Sequence, residues 1–189
     1  GLFGNQSPIK NLAPVTVWVI WWVGFVYLAA LLVNMWPLFN PWDAIFRAVE
    51  TASRKKFKRF TYPNTLGHWP ALVLFLIFAW SELVWSKGEH PRTLAIMILG
   101  YSMFCFIGMA LYGRQSWLKN AEVFSVTFSI FGRFAPLHPG NEDIGPYLRY
   151  YGIGLLPQRP ASFSLTIFIL TLLATVSFDG FMETPAWSA

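Results

Sequence analysis

Four long apolar stretches, with basic residues gathered in alternate gaps between them, constrain this chain more than any motif in it. The stretches cover roughly residues 15–36, 69–85, 93–112 and 162–178. A helix needs about 20 residues to cross a hydrocarbon core, and each stretch reaches or approaches that length. The chain is 55% hydrophobic and 12% charged, against about 25% charged in soluble domains. So apolar a surface finds its natural solvent in lipid, where helices satisfy their own backbone hydrogen bonds. The expected fold is all-α: a polytopic membrane protein with four transmembrane helices, forming a single transmembrane domain over residues 1–189.

Two further segments read as interfacial. Asn40 is a good N-cap, Pro41 suits the first helical position, and Asp43 complements the positive first turn. Trp42, Ile45, Phe46 and Val49 then follow at helical spacing, which predicts an amphipathic helix over about 41–53, lying in the interface. The second segment, about 117–134, carries two competing periods. Phe124, Val126, Phe128 and Ile130 alternate with Ser125, Thr127 and Ser129, as in a strand. Trp117, Ala121, Phe124, Phe128 and Phe131 make a helical stripe. A lone strand leaves its backbone unpaired in lipid, so a short interfacial or re-entrant helix is expected. Residues 137–160, rich in Pro and Gly, read as an ordered loop near the headgroups, with His138 solvated. The ten Trp are expected to form aromatic belts at the two interfaces.

Eleven of the fourteen Lys and Arg fall in two gaps. Arg47, Arg54, Lys55, Lys56, Lys58 and Arg59 follow the first stretch. Arg114, Lys119, Arg133, Arg149 and Arg159 follow the third. Lys10, Lys87 and Arg92 occupy the other side. The positive-inside rule makes the basic side cytoplasmic, with both termini on the periplasmic side of a bacterial inner membrane. The knot Arg54, Lys55, Lys56, Lys58 and Arg59 is expected to meet anionic lipid headgroups. No aromatic–basic RNA motif accompanies the net charge of +5, so nucleic acid is not an expected partner. The sequence begins at Gly1 rather than Met and shows no signal peptide, which suggests a processed or partial chain.

Few residues are polar where lipid would be expected. Glu82 lies inside the second stretch, where a carboxylate is a functional hypothesis by default; the bland reading has it reaching the outer interface. Ser164, Thr171, Thr175 and Asp179 recur on one face of the fourth stretch and either line a path or glue helices together. His68, at the entrance of the second stretch, suits a proton relay, a haem or quinone contact, or simple capping. Glu82, Glu89, His90, Asp179 and Glu183 collect on the outer side, with no spacing that enforces a metal site. Gly100 and Gly108 form a loose small-residue face, and Cys105 reads as a small buried apolar residue. No catalytic motif appears, and no cofactor can be assigned.

The segments Gly4-Asn5-Gln6-Ser7-Pro8, Leu38-Phe39-Asn40-Pro41-Trp42, Leu66-Gly67-His68-Trp69-Pro70 and Phe178-Asp179-Gly180-Phe181, with Glu183-Thr184-Pro185, resemble those of a family of bacterial polytopic integral membrane proteins of unknown function. The resemblance spans most of the chain and implies a longer protein with further membrane helices. It implies no activity and no site residues. Function is therefore expected to be transport or channel-like, along a polar path of Glu82, His68, Thr171, Thr175 and Asp179. The alternative is a non-catalytic accessory or scaffold subunit of a larger membrane complex, of redox or photosynthetic type, with other membrane subunits as partners.

Overall fold

The computed structural model describes residues 11–85, 90–140, 145–156, 160–182 and 184–188. Lys10, Lys87, Glu89, Arg159, Glu183 and the segment Gly4–Pro8 lie outside them. The described chain is mostly helical. In order it forms α1 (Leu12–Leu31), α2 (Trp36–Phe39), α3 (Pro41–Ser53), α4 (Trp69–Leu83), α5 (Pro91–Tyr112), α6 (Arg114–Asn120), α7 (Val123–Phe131), α8 (Phe163–Met182) and α9 (Pro185–Ser188). A small antiparallel pair, β1 (Leu137–His138) with β2 (Tyr147–Leu148), lies between α7 and α8.

Three helices, α1, α5 and α8, are long and apolar enough to cross a membrane. The fourth apolar helix, α4, has 15 residues, or about 22 Å at 1.5 Å per residue. That falls short of the roughly 30 Å hydrocarbon core. The first stretch also ends sooner than its hydrophobicity suggests: α1 stops at Leu31, and Trp36 starts a separate short helix. Large apolar side chains cover the outside of the bundle, among them Ile20, Val73, Trp80, Leu99, Met103 and Leu173. So extensive an exposed apolar surface is characteristic of a face that meets lipid or another protein.

Part of α1, Val15–Val23, is wound as a π-helix, a form rare outside single turns. Within it Trp18 and Trp22 both reach Phe78 of α4, with ring centres 5.1 and 4.8 Å away. Trp21 turns instead to Phe124 of α7 at 4.4 Å. Trp21 and Trp22 pack with buried Trp36 and Trp42 in the core, whereas Trp69, Trp80 and Trp187 are exposed.

The loops place the basic segments at one end of the bundle. The amides of Arg59 and Phe60 donate to the Leu111 carbonyl at the end of α5, at 2.9 and 2.7 Å. The Leu137 amide donates to the Leu32 carbonyl just beyond α1. His68, capping α4, donates its amide to Ser164 Oγ at the start of α8 (3.0 Å). The chain thus alternates direction: α1 and α5 end, and α4 and α8 begin, at the basic end.

Two helical pairs enter from that end and stop partway. After Gly113, whose φ of 85° favours glycine, α6 folds back along α5. The Trp117 ring lies over Gly108 and 5.2 Å from Phe104. The helix breaks at Ala121-Glu122, beside Tyr101 in the middle of α5. From there α7 returns to the basic end, where Gly132 packs on Asn34. The segment 117–134 is therefore two helices, and the apparent strand alternation belongs to a helix buried on nearly every side. α2 and α3 make a second break, at Asn40. Trp42, in the first turn of α3, donates its indole N–H to Ser102 Oγ, midway along α5, at 2.8 Å. The far end of α3 sits at the basic loop, where Glu50 accepts the Phe57 amide. The expected helix over 41–53 is present as α3, with Trp42, Asp43 and Phe46 buried against the bundle and Ile45 and Val49 exposed.

Candidate functional site

Each break leaves a helix N-terminus deep in the bundle, and an N-terminus needs acceptors for its free amides. Asn40 supplies them for α3: its Oδ1 accepts from the amides of Trp42 and Asp43 at 3.0 and 3.1 Å. Glu122 does the same for α7, accepting from Phe124 at 3.0 Å and Ser125 at 2.7 Å. The two caps also meet each other. Asn40 Nδ2 donates to Glu122 Oε2 (3.3 Å) and to Ser125 Oγ (3.4 Å).

The Glu122 carboxylate is wholly buried. Besides Asn40 and the two amides, it accepts from Trp36 Nε1 at 3.2 Å and from the Tyr101 hydroxyl. Five donors thus converge on an acceptor-only group, at the positive end of its own helix dipole. At the other end of α7 the Arg149 guanidinium donates to the carbonyls of Gly132 (2.8 Å), Arg133 (3.2 Å) and Ala135 (2.9 Å). A nine-residue helix is therefore closed by an anion at its start and a cation at its end, both complementing its dipole.

A cavity lies on each side of this junction. Toward the basic end is a vestibule of about 580 Å³, whose lining includes the polar residues Asn40, Ser125, Ser129, His68, Lys119 and Arg133 beside apolar ones such as Leu118 and Ile130. Asp43 and Arg114 also line it, joined as an ion pair, and Arg114 reaches Glu50 at 3.3 Å. On the other side is an apolar crevice of about 450 Å³ walled by Trp18, Trp42, Phe78, Tyr101, Phe104 and Phe124. Trp36, Asn40 and Glu122 stand between the two. The vestibule thus brings several polar side chains up to the junction from the basic end, and the crevice beyond it is lined almost wholly by apolar side chains.

Of the path candidates Glu82, His68, Thr171, Thr175 and Asp179, His68 alone lines the vestibule. Its Nδ1 is buried with no hydrogen-bond partner among the described residues. Burial, then the Lys119 charge, lowers its pKa from the ordinary imidazole value. Glu82 and Asp179 are exposed at the opposite end, close enough for their charges to interact. Thr175 donates its hydroxyl to the Thr171 carbonyl of its own helix, and Ser164 is buried against His68 and Gly67. The structure thus does not gather Glu82, Thr171, Thr175 and Asp179 around His68. Arg54, Lys55, Lys56, Lys58 and Arg59 are all exposed at the basic end, with the stem of Lys58 lying against Gly113. His138 stacks on Tyr147 at 5.0 Å and accepts the Gly140 amide, so it is held rather than freely solvated.

Glu122 had no such prominence in the sequence, where it interrupts an apolar run. Its partners Trp36 and Tyr101 are 86 and 21 residues away, and glutamate is not among the favoured N-caps. Only the polar N-cap signature at Asn40 hinted at the junction. No protein-family model, curated protein or solved structure matches the chain.

Proposed function

We propose that the chain is a transport or channel-like protein of a bacterial inner membrane, in which α1, α4, α5 and α8 all cross the bilayer. The short α4 crosses with the help of its flanking turn and local thinning of the lipid. The basic end faces the cytoplasm, by the excess of Lys and Arg there, and its exposed cluster at Arg54–Arg59 meets anionic headgroups.

One observation carries the reading: two broken helices enter from the same side and bring their N-termini together at the buried Glu122. Discontinuous helices in membranes are tolerated where they line a cavity, and their N-termini commonly face sites for ions and anionic groups. A buried intramembrane carboxylate is likewise a mark of function. The path then runs through the vestibule to the Asn40–Glu122 junction. This replaces the proposed route by Glu82, Thr171, Thr175 and Asp179, retaining His68.

The test is reconstitution in liposomes, with charge movement recorded on solid-supported membranes after jumps in pH, chloride and phosphate. Transients above those of empty liposomes, reduced by Ser125→Val, are expected. Silence under all three jumps refutes the reading. A second reading, as a non-catalytic accessory subunit, draws on the saturation of Glu122 by five donors, as a purely structural keystone would be. It predicts other membrane chains co-purifying in fixed proportion with this one.

A further inference from the structure

The vestibule carries a charge its own residues leave unbalanced. Asp43 is engaged by Arg47 and Arg114, and Arg114 by Glu50 as well. Lys119 and Arg133, from the end of α6 and just beyond α7, line the same cavity with no ion-pair partner among the described residues. His68, from a third element, adds a buried Nδ1 without a partner among those residues. Ser125 accepts from Asn40, which leaves its own O–H to donate. Two cations and two neutral donor groups therefore line one cavity, and their natural complement is an anion with several oxygens.

We propose that the vestibule binds a phosphate-class oxyanion, held by Lys119 and Arg133 with Ser125 and His68 as neutral donors. The Arg fork matches two oxygens of a phosphate, and Lys adds a mobile point charge. A halide would satisfy one or two of these groups and strand the rest. His68 takes part as its Nδ1–H tautomer. The cavity, at about 580 Å³, falls within the usual range for small-ligand sites and accommodates more than the phosphate group itself. Inorganic phosphate, a phosphomonoester and the phosphate of a lipid headgroup all present this chemistry. The inference deepens the transport reading by naming what the vestibule takes, yet binding is measured without flux. Phosphate binding with silent proteoliposomes would remove transport and leave this site standing.

The experiment uses the full chain purified in detergent. Calorimetric titration with inorganic phosphate at low chloride is expected to give saturable binding. Lys119→Gln with Arg133→Gln should weaken it by at least about tenfold, since two charge-assisted contacts are lost. Arg92→Gln, at an exposed position at the opposite end of the bundle, serves as a control and should leave it unchanged. In parallel, native mass spectrometry from nanodiscs compares phosphatidylglycerol with phosphatidylcholine. Selective retention of phosphatidylglycerol by the wild type but not the double variant assigns the site to a lipid headgroup. Saturable inorganic phosphate assigns it to a free anion. Lys119 is exposed, so Lys119→Glu alone repeats the test if the double variant does not fold. Neither ligand binding, or equal binding by folded Lys119→Glu, overturns the proposal.

Discussion

Replacing Glu122 by glutamine tests the junction with almost no change of shape. In the native chain Oε2 accepts from Trp36, Asn40 and the Ser125 amide, and Oε1 from Tyr101 and the Phe124 amide. A glutamine does best by keeping its oxygen toward the three-donor side. Its NH₂ then meets Tyr101 and Phe124. The Tyr101 hydroxyl can turn and accept, but the Phe124 N–H is left facing another donor. One stranded buried amide, together with loss of charge assistance in the remaining bonds, costs about 3 kcal/mol. For a chain of this size that lowers the melting temperature by about 6–12 °C. Glu122→Ala strands all five donors and should cost about twice as much. Intrinsic fluorescence during thermal unfolding in detergent provides the readout, since Trp21, Trp22 and Trp36 surround the junction. Glu122→Gln melting within about 2 °C of wild type would show that the carboxylate does not hold the tips together.

Gly108→Ala drives a methyl into the Trp117 ring and should lose about 1–3 kcal/mol to overpacking. Gly100→Ala, with open space around it, should be neutral or gain up to about 1 kcal/mol in helix propensity. Equal melting temperatures for the two would contradict the packing of α6 on α5. Stability should fall as pH drops below about 6.5, the ordinary imidazole value. His68 is held neutral in the fold by burial and then by Lys119, so the unfolded chain takes up the proton first. That loss continues down to the lowered folded value, and His68→Gln should remove it; identical pH profiles for the two proteins would refute the assignment. Cys105 is fully buried, so Lys56→Cys should provide the sole accessible thiol among the described residues. An impermeant maleimide should label it in inverted vesicles and not in intact spheroplasts, and the reverse pattern would invert the proposed orientation.

The long helices were legible because hydrophobicity over about 20 residues is a property of the chain itself. Their ends were less so: α1 stops at Leu31, before Leu32 and Val33, and Asn34 accepts the Trp36 amide to start α2. The start of α3 was read from Asn40, Pro41 and Asp43, whose capping roles are local. The site was not legible, because its groups come from separate elements and meet only in the fold. The break between α6 and α7 hid within 117–134, where a buried helix with Ser and Thr at alternate positions imitates a strand. Glu82 stood out because it interrupts an apolar stretch, yet it lies exposed at the end of the bundle opposite the basic loops. Glu122, equally isolated in sequence, is the carboxylate that the fold encloses. Arg149, counted in the sequence only as one more basic residue of its side, also closes the end of α7.

The paired tips also dictate an order of assembly. Helices of seven and nine residues are too short to be inserted as spans, and the open backbone at Ala121-Glu122 cannot rest in lipid without partners. In the proposed membrane placement, Tyr101 and Ser102 of α5 and Trp21 of α1 stand in the bilayer before either hairpin enters. On that placement, insertion of the long helices is expected first, with entry of the two hairpins as a separate step, completed when Asn40 and Glu122 meet. A chain arrested between those steps would be fully threaded and still lack its interior.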